Sequence, residues 1–335
     1  MHLPASTQRQ QVRRHSRSVA LLIALLAGPA AMAAPPAEAP LHISSQAPLQ
    51  SLRLGLLPVV PAQLPRGETL VQMSGTWTNV WVNDAPSLLL DYEALDSRIT
   101  LIHGLTERTE LQLEVENRKG FGGFLDPLIQ DFHGMIGNGM NGRDSVGRNQ
   151  VHIEIRDPET GKLLLDRHAL GSYSRGIVAS VAHSRPLASG QLAYAGSVRV
   201  PLRHGGDEVW QSADAGVSLA WSRVVRGRSI HLGGALTRFR KSDLTPITLD
   251  RTQKTGFVAL VQPVTPRTAL IVQYLFNDGA ASRGPLSRSA HELTFGGRVH
   301  LNEATSLDIG ILENIIHFDN GPDFGFHVAI TRYTH

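Results

Sequence analysis

The chain has 335 residues, 41% of them hydrophobic and 18% charged, and it contains no cysteine, which excludes a lipidated cysteine anchor, a disulfide framework and any thiolate metal site. Its formal net charge of +3 comes from 32 Lys and Arg against 29 Asp and Glu. Four of those arginines (Arg9, Arg13, Arg14 and Arg17) lie in the first 33 residues, leaving 28 basic against 29 acidic residues in the rest and no clustered basic footprint for nucleic acid.

Residues 1–33 read as a cleaved export signal. The arginines form a positive start without an acidic residue, Val19 to Ala27 is a short apolar run, and Ala31-Met32-Ala33 has the small-x-small form of a cleavage site. That run is too short for a membrane helix and no later apolar stretch is long enough, so any membrane crossing falls to strands. Residues 34–67 are rich in Pro and Ala, and Pro58, Pro61 and Pro65 interrupt any regular element. They are expected to be a periplasmic lead-in, partly tucked into the mouth of the strand-rich domain that begins at residue 68.

From Thr69 the period becomes two. Val71, Met73, Gly75 and Trp77 alternate with Gln72, Ser74, Thr76 and Thr78, and near the end Leu293, Phe295, Gly297, Val299 and Leu301 alternate with Glu292, Thr294, Gly296, Arg298 and His300. In a barrel wall this sends apolar residues to lipid and polar residues to the lumen, and a one-residue slip would carry charges into lipid. Segments of this kind are predicted at residues 69–83, 87–103, 109–117, 173–184, 190–201, 211–225, 229–240, 254–263, 267–277, 289–301, 305–314 and 323–334. Short connections (105–108, 185–189, 226–228, 264–266 and 302–304) fall at every second junction and most of the others are longer and polar. This alternation predicts an all-β fold: a transmembrane antiparallel β-barrel of about twelve strands over residues 68–335, with a backbone radius of roughly 12 Å. Arg199, Glu292, Arg298, His300 and Asp308 are predicted to face its lumen.

The longest connection, residues 119–172, is expected to lie outside the barrel or to insert into it. Asp126-Pro127 is a helix start, and Leu125, Leu128, Ile129, Phe132, Met135 and Ile136 recur on one helical face until Gly137 and Gly139 stop it. Beyond them lies a small hairpin, His152 to Asp157 with Lys162 to Asp166. Asp126, Asp131, His133, Arg143, Arg148 and Asn149 are the candidate binding residues, suited to a carboxylate or a sugar, although loops use the same residue types to hydrogen-bond their own backbone. Gly137 to Gly142 spells GxGxxG, but no strand precedes it, which argues against dinucleotide binding. Ser145 lacks the GxSxG spacing, and the 15 histidines include no HExxH. Asp319, Asn320 and Asp323 fit either a calcium loop or a plain turn. No catalytic residue, cofactor or metal site is predicted.

In its order of features the chain resembles a Gram-negative family of outer-membrane barrel proteins known as a domain of unknown function. The carrying residues are Leu56-Leu57-Pro58, the Trp77/Trp81 strand, Ser87 to Asp91, Gly122 to Asp126, Asp131-Phe132-His133, Gly142-Arg143 and Arg148-Asn149. The resemblance implies the barrel fold and an outer-membrane location, with outer-membrane lipid and, during biogenesis, the barrel assembly machinery as partners. It implies no substrate.

Three functional classes are compatible with these features. The first is a passive or gated path for a small solute, with the loop helix as constriction; the second is a non-conducting structural or surface-binding barrel. The third is an outer-membrane hydrolase that would use Ser145 or His133.

Overall fold

The computed structural model describes residues 39–334 apart from 59–63, 85, 128–130, 132–141, 144–146, 203–211, 241–242, 245, 283, 315 and 317–319. Its strands are β1 (Thr69–Asp84), β2 (Leu88–Thr106), β3 (Thr109–Phe121), β4 (His152–Arg156), β5 (Leu163–Arg167), β6 (Gly171–Leu187), β7 (Gly190–Pro201), β8 (Asp214–Val225), β9 (Arg228–Phe239), β10 (Asp243–Leu244), β11 (Ile247–Thr248), β12 (Thr252–Thr265), β13 (Thr268–Asn277), β14 (Ala290–Asn302), β15 (Thr305–Asn314) and β16 (Pro322–Thr334). Twelve of them form one antiparallel wall that closes because β1 pairs with both β2 and β16, Thr69 lying opposite His103 on one side and Thr334 on the other. Closure leaves no strand edge, the condition for a sheet to cross lipid.

The alternation becomes two faces. Ile99, Val115, Val198, Val217, Leu270 and Ile309 point outward and are between 46% and 59% exposed, whereas their neighbours Arg98, Glu114, Arg199 and Asp308 are buried inside. An apolar band of this extent suits lipid and would be an aggregation surface in water. Short turns join the strands at one end. The β8–β9 turn has positive φ at both Arg226 (50°) and Gly227 (76°), the backbone form that matches the twist of a two-residue hairpin. Several strands outrun their predicted bounds at the long-loop end; β3 continues from Asn117 to Phe121 and β6 begins at Gly171. The charged sequence of Glu116 to Lys119 hides this continuation, because backbone pairing persists where lipid-type alternation has ended. The predicted small hairpin is β4–β5. It extends the wall upward, β4 pairing with Leu88 to Asp91 of β2 beyond the end of β3.

The lead-in departs from its expected place. Residues 39–58 run inside the barrel, climb toward the long-loop end, turn through a 3-10 helix at Gln50–Leu52, and descend again. Leu41, Ala47 and Gln50 have no exposed surface. A segment without ladder partners must place its backbone N–H groups elsewhere. Inward side chains of the wall accept them: Gln273 from Leu41 (3.0 Å), Glu292 from Gln46 (2.9 Å), Asp214 from Leu54 (3.1 Å) and Glu110 from Leu64 (2.8 Å). Wall glycines make room for it. A side chain on Gly296 or Gly310 would meet Leu41, one on Gly216 would meet Leu56, and one on Gly233 would meet Pro58.

Candidate functional site

The interior is organised around a buried charge cluster where β2 and β3 face the ascending arm of the plug. Asp96 accepts hydrogen bonds from Arg98 (Nε 3.0 Å, Nη2 2.9 Å) and from Arg118 Nη2 (2.8 Å). Arg98 also donates to Glu114 (2.6 Å) and to the Ser44 hydroxyl of the plug (2.6 Å), and Arg118 reaches the Ser45 carbonyl at 3.4 Å. Of the predicted lumen residues, Glu292 and Arg298 also hold the plug, while Arg199 and Asp308 pair with wall residues. Arg199 donates to Glu116 and to Ser174 (2.8 Å), and Glu292 accepts from the Ser45 hydroxyl and the Gln46 and Ala47 amides. Arg298 makes a two-pronged pair with Asp308 (2.7 Å each) and donates to the Ala39 carbonyl, while His300 is half-buried. Together with the cluster, Glu292 and Arg298 clamp a peptide; they do not line an open water column.

At the top of the plug, Arg53 donates to the Asp250 carbonyl (2.6 Å) with its guanidinium 3.8 Å from the centre of the Phe239 ring. Burial pulls its pKa down to about 10, so it stays charged at neutral pH.

The plug divides the interior into two compartments. Toward the short-turn end is a cavity of about 160 Å³ with His42, Arg98, Glu110, Glu114, Glu116 and Arg298 among its lining residues. Toward the long-loop end is a second cavity, of about 120 Å³, floored by the plug residues Pro48, Leu49 and Leu52 and walled by Leu90, Tyr92, Ile153, Ile155, Leu165, Leu244, Ile247 and Leu286. Among the described residues, its one charged lining residue is Arg167. The surrounding apolar cluster ties the plug tip to β1, β2, the β4–β5 hairpin and the loops carrying Leu249 and Ala280. A cavity of mixed aliphatic and charged lining thus lies below the plug tip and an apolar chamber above it.

The described part of residues 122–149 lies on the opposite side of the wall from the chamber. Glu93, which shares the outward face of β2 with Ile99, accepts hydrogen bonds from the Leu125 amide and from Trp77 Nε1, and Phe124 packs edge-on against Trp77 at 4.6 Å. Residues 125–127 and 131 are helical as predicted, but the expected constriction of the lumen is not formed by any described loop residue. The hydrophobic contacts to Trp77 and Phe121 draw the start of the loop to the outer surface, and the plug already fills the inside.

Among the candidate binding residues, Asp126, Arg143 and Asn149 do come together. Asp126 accepts from Asn79 (3.0 Å), Arg143 (3.2 Å) and the Asn149 amide (2.7 Å), and Arg143 also pairs with Asp323 (2.8 Å) 5.0 Å from the Trp81 ring centre. This buried clasp uses its polar atoms to fasten the loop to β1 and β16. Asp131 and Arg148 are exposed, and His133 lies outside the described residues, as do Ser145, Asp319 and most of the GxGxxG run. Asp323 serves the clasp, and Asn320 donates through its amide nitrogen to the Arg288 carbonyl.

Gly123 is where the loop is most sensitive. It has a φ of 67°, and a side chain there would collide with the Glu93 carboxylate. Gly123→Ala therefore combines left-handed strain of roughly 1–2 kcal/mol with loss of the Glu93 contacts. Trypsin cleavage after the exposed Arg148 should become faster while the folded barrel persists. An unchanged cleavage rate would show that Glu93 does not hold the loop.

The model of a family described as "protein of unknown function (DUF3187)" matches residues 18–333. The chain belongs to that family. No curated protein matches it in sequence. Among solved structures, this DUF3187 chain is similar to the COG4313 outer membrane channel from Pseudomonas putida F1, with 13% identity over 81% of this chain and 96% of that one at a TM-score of 0.53. It is more distantly similar to the NanC porin (8% identity, 78% and 98% covered, TM-score 0.44) and to the CymD monoaromatic hydrocarbon channel (10%, 87% and 98%, 0.41). At these identities the shared property is the barrel fold.

Sequence reasoning missed the plug and the Asp96–Arg98–Arg118 cluster. The signal available was a set of charges at inward positions of β2 and β3, too many for a wall facing only water-filled space.

Proposed function

We propose that this DUF3187 protein is an outer-membrane path for a small apolar solute, held closed by its own N-terminal segment. It would be exported from the cytoplasm of a Gram-negative bacterium by the signal at residues 1–33 and oriented with its short turns toward the periplasm. The carrying observation is the apolar chamber at the long-loop end with the plug tip as its floor. Its volume of about 120 Å³ approaches that of apolar cavities of ~150 Å³ that take up benzene. The plug is held by apolar contacts of Leu41, Ile43, Leu49 and Leu52 and by side-chain hydrogen bonds to its backbone, the latter of which water could replace one by one as it moves. Catalysis forms no part of this reading.

The test is uptake of radiolabelled benzene by cells producing the intact protein, the chamber-filling variant Leu165→Trp, or neither. Intact protein should accelerate uptake several-fold and the variant, if folded, should return it to background. Equal uptake in all three would remove the apolar path and favour a sealed structural barrel.

A further inference from the structure

The β4–β5 hairpin turns Ile153, Ile155 and Leu165 toward the apolar chamber. Its other face carries a different chemistry. His152 and Glu154 on β4 lie beside Asp166 on β5 and His168 just beyond it, all at even positions on the same side of a two-stranded ribbon.

From this face we propose that the hairpin binds a divalent transition-metal ion of the zinc class through His152, Asp166 and His168, with Glu154 as a fourth ligand. The ligand atoms of the first three all lie within 4.8 Å of one another. Asp166 Oδ1 is 3.1 Å from His168 Nε2 and 3.7 Å from His152 Nε2, and Glu154 Oε2 is 3.7 Å from His152 Nε2. Metal bonds of about 2.0–2.2 Å in a tetrahedral array require ligand separations of about 3.3–3.5 Å, so small side-chain rotations complete the site. The two imidazoles are already stacked, 4.8 Å between ring centres and 29° between planes, with both Nε2 atoms turned to the same carboxylate oxygen.

Two further features favour a cation here. Glu154 and Asp166 are direct cross-strand partners, and like charges in that relation destabilise a hairpin. Arg156 neutralises Glu154 through Oε1 at 2.6 Å, leaving Oε2 turned to His152, and among the described residues the ion-pair partners of Asp166 are the two histidines. Two imidazoles and carboxylate oxygens on a solvent-facing surface suit zinc, copper or nickel better than calcium or magnesium, which prefer oxygen ligands throughout. Bound metal would tie β4 to the residues at and beyond the end of β5 and so fix the hairpin whose opposite face walls the chamber. The site does not depend on the solute path.

The probe is Co²⁺, added to the refolded mature protein and followed by its visible absorption, then displaced by Zn²⁺. One equivalent should bind. His152→Ala, His168→Ala and Asp166→Asn should each weaken binding by more than about tenfold, a loss that even an outer-shell partner can cause. His183→Ala, at the far end of the barrel, should change it less than twofold. Equal binding by the wild type and the His152→Ala/His168→Ala double variant would overturn the proposal. A second measurement needs no variant: Zn²⁺ should protect His152 and His168 of the wild-type protein from acylation, and equal modification with and without Zn²⁺ would also overturn it.

Discussion

Deleting residues 39–58 should turn a barrel that passes almost no current into one with large stepwise conductance in planar bilayers, whereas deleting residues 122–149 should leave the current unchanged. The plug occupies the interior from the level of Arg298 to the outer apolar cluster, and the described part of residues 122–149 packs on the outer face of the wall. A twelve-stranded ring has a backbone radius of roughly 12 Å, wide enough that side chains alone leave space once a peptide crossing it twice is removed. The deletion leaves Asp96, Glu110, Glu114, Glu116, Asp214, Glu292 and Asp308 facing Arg98, Arg118, Arg199 and Arg298, now hydrated. The excess of acids predicts a preference for cations. Both variants must show the heat-modifiable mobility of a folded barrel. A folded plug deletion that passes no current would mean that the wall's own side chains seal the lumen, and gating by the plug would be excluded.

The wall was legible because lipid imposes a simple rule on every strand. Val198 and Arg199 cannot exchange faces without placing a guanidinium in hydrocarbon, so period and register follow from the residues alone. The plug obeys no such rule. Its backbone amides are satisfied by Gln273, Glu292, Asp214 and Glu110, residues far away in sequence and separately ambiguous between lumen charge and peptide acceptor. Gly216, Gly233, Gly296 and Gly310 were the visible hint: inward glycines in otherwise regular strands mark the close approach of another chain segment. The loop shows the same division. Asp126, Arg143 and Asn149 were singled out from sequence and are brought together, yet the partners that define their role, Asn79, Trp81 and Asp323, belong to other strands. His152 and Asp166 fall on the hairpin predicted from sequence and His168 lies past its predicted end; only the register puts their ligand atoms side by side.

Asp96→Ala should release the plug without unfolding the wall. Asp96 is 3% exposed and is the carboxylate shared by Arg98 and Arg118, the two guanidiniums that also grip Ser44 and Ser45 of the plug. Removing one partner of a buried charged group costs about 3–5 kcal/mol, because the remaining charge is left desolvated. Arg98 keeps Glu114, whereas Arg118 is left with the Tyr173 hydroxyl of the wall and the plug atoms Ser44 Oγ and Ser45 O, none of them a charged partner. The wall can escape that cost by admitting water, and water enters only where the plug leaves. A penalty of this size shifts the closed-to-open ratio by roughly 10²–10⁴. Trypsin reports the shift directly, since Arg53 is buried in the plugged state and becomes a cleavage site when the segment is expelled. Rapid cleavage after Arg53 with retained heat-modifiable mobility would place the latch at Asp96. A folded variant in which Arg53 is cut no faster than in the wild type would move the latch to Glu292 and the Ser45 to Ala47 amides it holds.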